Sequence, residues 1–252
     1  MSRKYYGYDK EAVHEEKYKG MIIKIMPDYN APNPLDEDFQ DGMGKMICWW
    51  GNAIVGHEHN FETRQEFFES LAREIHPQKY DELESGRYAF DHNYPEEEGE
   101  NIVTDEQFDA GIQKIIEQGA IVLPVYVYEH GGITVKCSPF GDIWDSGQAG
   151  YIYVTRKKVI EEYGDFSNAS KERAKKYLLG EVQQYADYLE GMVYGYIVED
   201  EDGEELTSCW GYYGDYREYC LPEARAQADF FAPEVAAELE TLAETTHWEA
   251  HK

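Results

Sequence analysis

Ile121-Val-Leu-Pro-Val-Tyr-Val-Tyr128, followed by Glu129-His-Gly-Gly132 and Ile133-Thr-Val-Lys-Cys137, is the stretch on which the fold turns. Its first eight residues are apolar at nearly every position, as in a strand buried on both faces. Pro124 removes one ladder donor, which argues against a fully central strand. Gly131-Gly132 then reverses the chain into a second short apolar run, the signature of a β-hairpin. With those glycines as the turn, His130 falls opposite Ile133 and Cys137 opposite Tyr126.

Working outward, the pattern repeats. Downstream, Tyr151 to Val154 reads as a strand, and Thr155 caps a short helix to Tyr163. Ser170 is expected to cap the clearest helix, with Leu178, Val182, Tyr185 and Leu189 on one face and Gly191 closing it. Met192 to Val198 and Leu206 to Trp210 form another hairpin around Asp202-Gly203, a favoured tight-turn pair. Pro222 and Pro233 stand where helices can begin. Upstream, Met21 to Met26 and Lys45 to Trp50 are strand runs separated by the loop from Asn30 to Asp41. Thr63 with Glu66, and Thr104 with Gln107, are capping boxes. The first opens a helix with Phe61, Phe68, Leu71, Ala72 and Ile75 at helical spacing. The second opens one with Phe108, Ile112, Ile115 and Ile116 buried and Gly119 at its C-cap. Strands come in hairpins and not in β-α-β alternation. The expected fold is therefore α+β: an antiparallel sheet with helices packed on it, in one domain spanning 1–252. Residues 81–104 are polar and read as a long exposed loop, the one place where a boundary would fall.

Charge is the outlier. The chain has 51 acidic and 23 basic residues, a net charge of −28, where about 2–8 in magnitude keeps a small domain soluble. Apolar residues at 42% and aromatics at 15% still supply a core, so this is a folded body and not a polyanionic tail. The acids cluster. From Asp81 to Glu117 they face only Arg87 and Lys114, and from Asp187 to Glu205 there is no Lys or Arg. Glu234, Glu238, Glu240 and Glu244 add two like-charged i,i+4 pairs, each costing about 0.2–0.5 kcal/mol. Four helical residues rise about 6 Å, whereas phosphates along one DNA strand rise about 3.4 Å. No single helix copies that density, but neighbouring acidic elements together approach it. The alternatives are a solvated face serving solubility, a halophile's surface, or a calcium loop. Glu199-Asp200-Glu201-Asp202-Gly203 superficially fits the last but lacks the distal Glu and second helix of an EF-hand. Lys157, Lys158, Lys171, Arg173, Lys175 and Lys176 form a basic island in an otherwise acidic chain.

Such a balance repels nucleic acid and anionic membranes and attracts basic surfaces. The expected contact residues are Glu96, Glu97, Glu98, Glu100, Asp105, Glu106 and Asp109 in one cluster. Glu199, Asp200, Glu201, Asp202, Glu204 and Glu205 make the other. The rival site is the segment His130 to Gln148, with Cys137, Asp142, Trp144, Asp145 and Ser146, as a small-ligand or enzymatic site whose pocket would also take in Trp210. A local His130–Cys137 dyad is not expected, because four strand residues separate the two positions by about 13 Å. Cys137 and Cys209 are expected to be buried and structural. His57-Glu58-His59 would put two imidazoles on one strand face, but without further ligands it reads as a polar loop. No phosphate-loop, dinucleotide, zinc-protease or nucleophile-elbow motif occurs, so no catalytic residue, metal or cofactor is expected. Four scattered cysteines, an N-terminus without an apolar stretch and no long apolar run point to the cytoplasm.

Leu123-Pro-Val-Tyr-Val-Tyr-Glu-His-Gly131, Pro139-Phe140, Trp144-Asp-Ser-Gly-Gln148, Gly150-Tyr-Ile-Tyr-Val154, Glu181-Val182 with Tyr185 and Tyr188, Val193-Tyr-Gly-Tyr196, Ser208-Cys-Trp-Gly211 and Tyr213-Gly214 form an ordered series. It resembles a family of proteins carried by bacteriophages and mobile elements, over about 120–215. The resemblance implies genomic company and no activity. Acidic proteins of such elements often inhibit host defence by imitating DNA. By that analogy of charge, the expected partner is the basic surface of a restriction or CRISPR complex in a bacterial host.

Overall fold

The computed structural model describes residues 11–36, 42–51, 55–91 and 102–232. Its contacts gather into two compact units: Leu35–Gln183, and Met1–Pro34 together with Gln184–Lys252. Neither junction falls in 81–104. The fold is α+β, with two antiparallel sheets instead of one.

In the larger unit the sheet runs β3-β6-β4-β5, made of β3 (Lys45–Cys48), β4 (Ala120–Glu129), β5 (Ile133–Lys136) and β6 (Ser146–Thr155). The hairpin read from Ile121 to Cys137 forms, one residue out of the expected register. Glu129 pairs with Ile133 and Tyr126 with Lys136, because the loop takes three residues, 130–132. Pro124 pairs with Tyr151 of β6, while β5 covers only Tyr126 to Glu129. The missing N–H therefore faces the open side of β4, and the ladder shifts by a bulge between Val125 and Tyr126.

Three helices pack on one face of this sheet: α1 (Arg64–Ile75), α2 (Pro77–Asp91) and α3 (Asp105–Gly119). Their shared core is Phe67, Leu71, Ala72, Tyr80, Phe108, Ile112, Ile115 and Ile116 against Ile47, Val122, Tyr151 and Tyr153. Truncating a ring such as Phe67 or Phe108 to Ala costs about 3–5 kcal/mol. Phe67, absent from the expected stripe, is buried together with Leu71 and Ala72; Phe68 is only partly covered. Thr104 and Gln107 close a reciprocal capping box on α3. Thr63 accepts the Glu66 N–H, but the Glu66 carboxylate accepts from Glu62 N–H instead of Thr63. Gly119 is not a left-handed cap. It ends α3 where a Cβ would lie 2.0 Å from Ile75 Cγ2, so its role is close packing.

Residues 81–91, expected as loop, are helical. Tyr80, Leu83 and Arg87 seat α2: Tyr80 is buried, Leu83 lies against Gly111 of α3, and the Arg87 guanidinium covers the Phe108 ring at 4.6 Å. The remaining residues of that expected loop up to 101 lie outside the described residues.

Thr155 caps α4 (Arg156–Tyr163), and Gly164 ends it. α5 (Asn168–Leu189) starts three residues earlier than expected. Ser167 caps it, accepting from Ser170 N–H, while Ser170 Oγ donates to Asp165 at 2.6 Å. At its end Met192 N–H reaches Asp187 O and Gly191 N–H reaches Tyr188 O, the paired bonds of a Schellman motif.

The smaller unit has the sheet β1-β2-β7-β8, from β1 (His14–Tyr18), β2 (Met21–Pro27), β7 (Val193–Glu199) and β8 (Glu205–Tyr213). A helix α6, described over 220–232, lays Cys220, Leu221, Ala224 and Ala228 on Met21, Ile23, Ile25, Tyr196 and Val198. Arg225 clamps α6 to β1 through both oxygens of Glu16, at 2.7 and 2.8 Å. Among the described residues, no helix is long and apolar enough to cross a membrane.

Candidate functional site

The two acidic clusters lie in different units, and their carboxylates are not equivalent. In the β7–β8 hairpin, Asp200 Oδ1 accepts the N–H groups of Asp202 and Glu204 at 2.9 and 2.8 Å, and Gly203 takes φ +84°. Asp200 thus builds the turn, with Gly203 supplying the conformation other residues resist. Glu199 pairs with Lys24 at 2.6 Å, half buried, and Glu205 accepts from Ser208 Oγ at 2.6 Å. Glu201, Asp202 and Glu204 remain exposed at the tip, and among the described residues no cation is paired with their carboxylates. Of the six acids, Glu201, Asp202, Glu204 and Glu205 are exposed, while Glu199 is paired with Lys24 and Asp200 holds the turn.

The other cluster divides similarly. Glu96, Glu97, Glu98 and Glu100 lie outside the described residues. Asp105 and Glu106 occupy the first turn of α3, where negative charge offsets the helix dipole, and Asp105 also pairs with Arg87 at 3.0 Å. Asp109 is exposed one turn further on, beside a groove between α1 and α3. Sequence reasoning missed that groove. Its apolar floor was read wholly as core, although the i,i+4 spacings of Gln65 with Glu69 and Gln113 with Glu117 were visible.

Half of the basic island is engaged by its own neighbours. Lys171 sits over the Phe166 ring and Arg173 over Tyr163, each at 4.4 Å, and Lys175 pairs with Glu172 at 2.8 Å.

The segment from His130 to Gln148 forms an ordered corner of the larger unit. His130 Nδ1 meets Asp145 Oδ2 at 2.9 Å, and Trp50 Nε1 donates to Glu129 at 2.7 Å. Asp142 Oδ1 accepts from Trp144 N–H at 2.8 Å, and Ser146 Oγ donates to the Asp142 carbonyl. Ile143 and Trp144 protrude, 80% and 89% exposed. Trp210, expected to share a pocket here, belongs to the other unit, where its indole lies over Gly195.

Neither nucleophile in this corner is poised. The Ser146 hydroxyl is spent on a carbonyl, and burial pushes the Cys137 thiol up to about 11, the opposite of an activated thiolate. Cys48 and Cys220 are buried and likewise pushed up to about 12 by burial. Two expectations change: Cys137 is only partly buried, and Cys209 is exposed on the edge strand β8. His57 and His59 do not share a strand face. His57 Nδ1 accepts Met46 N–H at 3.0 Å, and His59 Nε2 bonds Cys48 O at 2.8 Å, stitching a loop to β3. Among the described residues, no group of three or more His, Cys, Asp or Glu is arranged to hold a metal ion.

The chain is thus an α+β protein with exposed acids on its loops and helix faces. No protein-family model matches it, and no curated protein and no solved structure shows significant similarity to it.

Proposed function

We infer that the chain is a binding protein of a bacteriophage or mobile element. In the host cytoplasm it occupies the basic, nucleic-acid-handling surface of a defence complex of the restriction or CRISPR type, its carboxylates standing in for phosphates. One observation carries the reading. Glu201, Asp202 and Glu204 are exposed, and without a paired cation among the described residues, at the tip of a hairpin loop that Asp200 braces, in a chain of net charge −28. A preformed loop presents its charges at little ordering cost, and summed charge raises association rates by steering.

The test is capture from bacterial host lysate on the immobilised chain, followed by association rates across a salt series. The captured partner should be a nucleic-acid-binding protein whose association slows steeply with salt. Glu201→Gln, Asp202→Asn and Glu204→Gln together, with Asp200 kept, should slow it further. A salt-independent rate, or a triple variant that associates like the wild type, overturns the reading. The chain itself should give no gel shift with DNA or RNA at low salt.

A second reading places a small-ligand site at the corner around His130. It is favoured by the His130–Asp145 bond, which leaves Nε2 of an exposed ring free to meet a ligand. Ligand-induced shifts of the His130 ring resonances in a metabolite screen would support it, and an unchanged spectrum would remove it.

A further inference from the structure

α1 and α3 pack side by side in the larger unit and leave a groove of about 500 Å³ between them. Its floor is apolar: Phe68, Ile112 and Ile116. Its rim is acidic. Glu69 stands on the α1 wall, Asp109 and Glu117 on the α3 wall, and no Lys or Arg lines it.

The two walls repeat one device. Gln65 Nε2 donates to Glu69 Oε1 at 2.9 Å, and Gln113 Nε2 donates to Glu117 Oε1 at 2.9 Å. Each bond spans one helical turn and takes only one carboxylate oxygen, so the acid is oriented while its second oxygen stays available. Glu69 also pairs with Arg87 at 3.6 Å through that same Oε1, and among the described residues no cation is paired with Asp109 or Glu117.

We propose that this groove receives an amphipathic basic segment of a partner protein, with an apolar side chain seated on Phe68, Ile112 and Ile116 and flanking Lys or Arg at Glu69, Asp109 and Glu117. The volume fits one or two large side chains, within the roughly 300–1,000 Å³ of ordinary pockets. The rim decides the occupant. Nucleic acid and anionic lipid are repelled by three carboxylates, and a second copy of a chain carrying −28 is opposed by the same field. A basic segment gains both the apolar floor and the paired charges, which is the helix-in-groove mode of recognition. The inference rests on the reading that the partner is a basic protein, and it gives that protein a docking element beyond unspecific charge.

The experiment uses the isotope-labelled full chain, titrated at low salt with an amphipathic peptide of alternating Leu and Lys pairs. The control has every Leu replaced by Ser at the same charge. The Leu-Lys peptide should shift amide signals of residues 65–69 and 109–117, and the Ser control should bind at least about tenfold more weakly. Asp109→Lys with Gln113→Lys, both at exposed positions, should weaken the Leu-Lys peptide by about tenfold or more, and Asp109→Asn by less. A Ser control that binds equally well, or a double lysine variant with unchanged affinity, overturns the groove. Shifts confined to residues 200–204 overturn it too, while leaving the acidic-surface reading standing. If neither peptide binds, both readings fall.

Discussion

The Asp200 carboxylate accepts the Glu204 N–H at 2.8 Å, so one acid of the hairpin loop shapes the display of the others. Asp200→Ala removes the acceptor for two loop N–H groups, at a cost of about 0.5–2 kcal/mol, comparable to losing a helix cap. Amide hydrogen exchange at Asp202 and Glu204 should accelerate in Asp200→Ala. Asp200→Asn keeps the acceptor oxygen and should exchange nearly like the wild type. Equal acceleration in both would mean that charge, and not the bond, orders the loop.

Glu181 plays a comparable role inside the larger unit, accepting from Met43 N–H at 2.7 Å and Gly44 N–H at 2.9 Å. Glu181→Ala leaves two partly buried donors without their acceptor and should destabilise by about 1–3 kcal/mol in urea unfolding. Burial holds this carboxyl above its ordinary value, against the lowering effect of the two backbone bonds. The folded state therefore binds its proton more tightly than the unfolded chain. The stability it contributes is full below the ordinary carboxyl value and is lost as pH rises through the raised one. The wild-type advantage over Glu181→Ala should then be larger near about pH 4 than near about pH 7. An advantage that grows with pH would contradict the assignment.

Gly195 is the contact that seats Trp210. A Cβ there would stand 2.4 Å from the indole Cε3 and 2.8 Å from Cys209 O. Gly195→Ala should lower stability by about 1–3 kcal/mol, since ring or strand must move. Unchanged thermal unfolding would show that β7 and β8 relax more easily than this packing implies.

Thiol reactivity should separate the four cysteines. Cys209 is exposed, whereas burial raises the thiols of Cys48, Cys137 and Cys220. A maleimide at neutral pH should label Cys209 alone in the native chain, and Cys209→Ser should abolish the labelling. Labelling at Cys137 that disappears in His130→Ala would instead expose a cysteine–histidine pair.

Much of the local structure was legible because its causes are local. The Thr63 and Thr104 caps, the Asp202-Gly203 turn and the α3 stripe from Phe108 to Ile116 depend on bonds or contacts between residues three or four apart. The α2 helix was not legible. Between its anchors Tyr80, Leu83 and Arg87 the segment is charged, and those anchors declare themselves only once α3 lies beneath them. Nor did the pattern foretell two sheets. Ile22 pairs with Glu199 and Lys45 with Tyr153, partners far apart in sequence that no periodicity names.

The same division governs function. Composition and clustering determined that this chain carries a large negative surplus concentrated in a few segments, since charge is a property of residues and survives any folding. Which carboxylates are free was decided by tertiary structure alone. Lys24 neutralises Glu199 and Arg87 meets Asp105, while among the described residues Glu201, Asp202, Glu204 and Asp109 have no paired cation. An ion pair acts only over a few ångströms, and those distances exist only after strands and helices distant in sequence have packed.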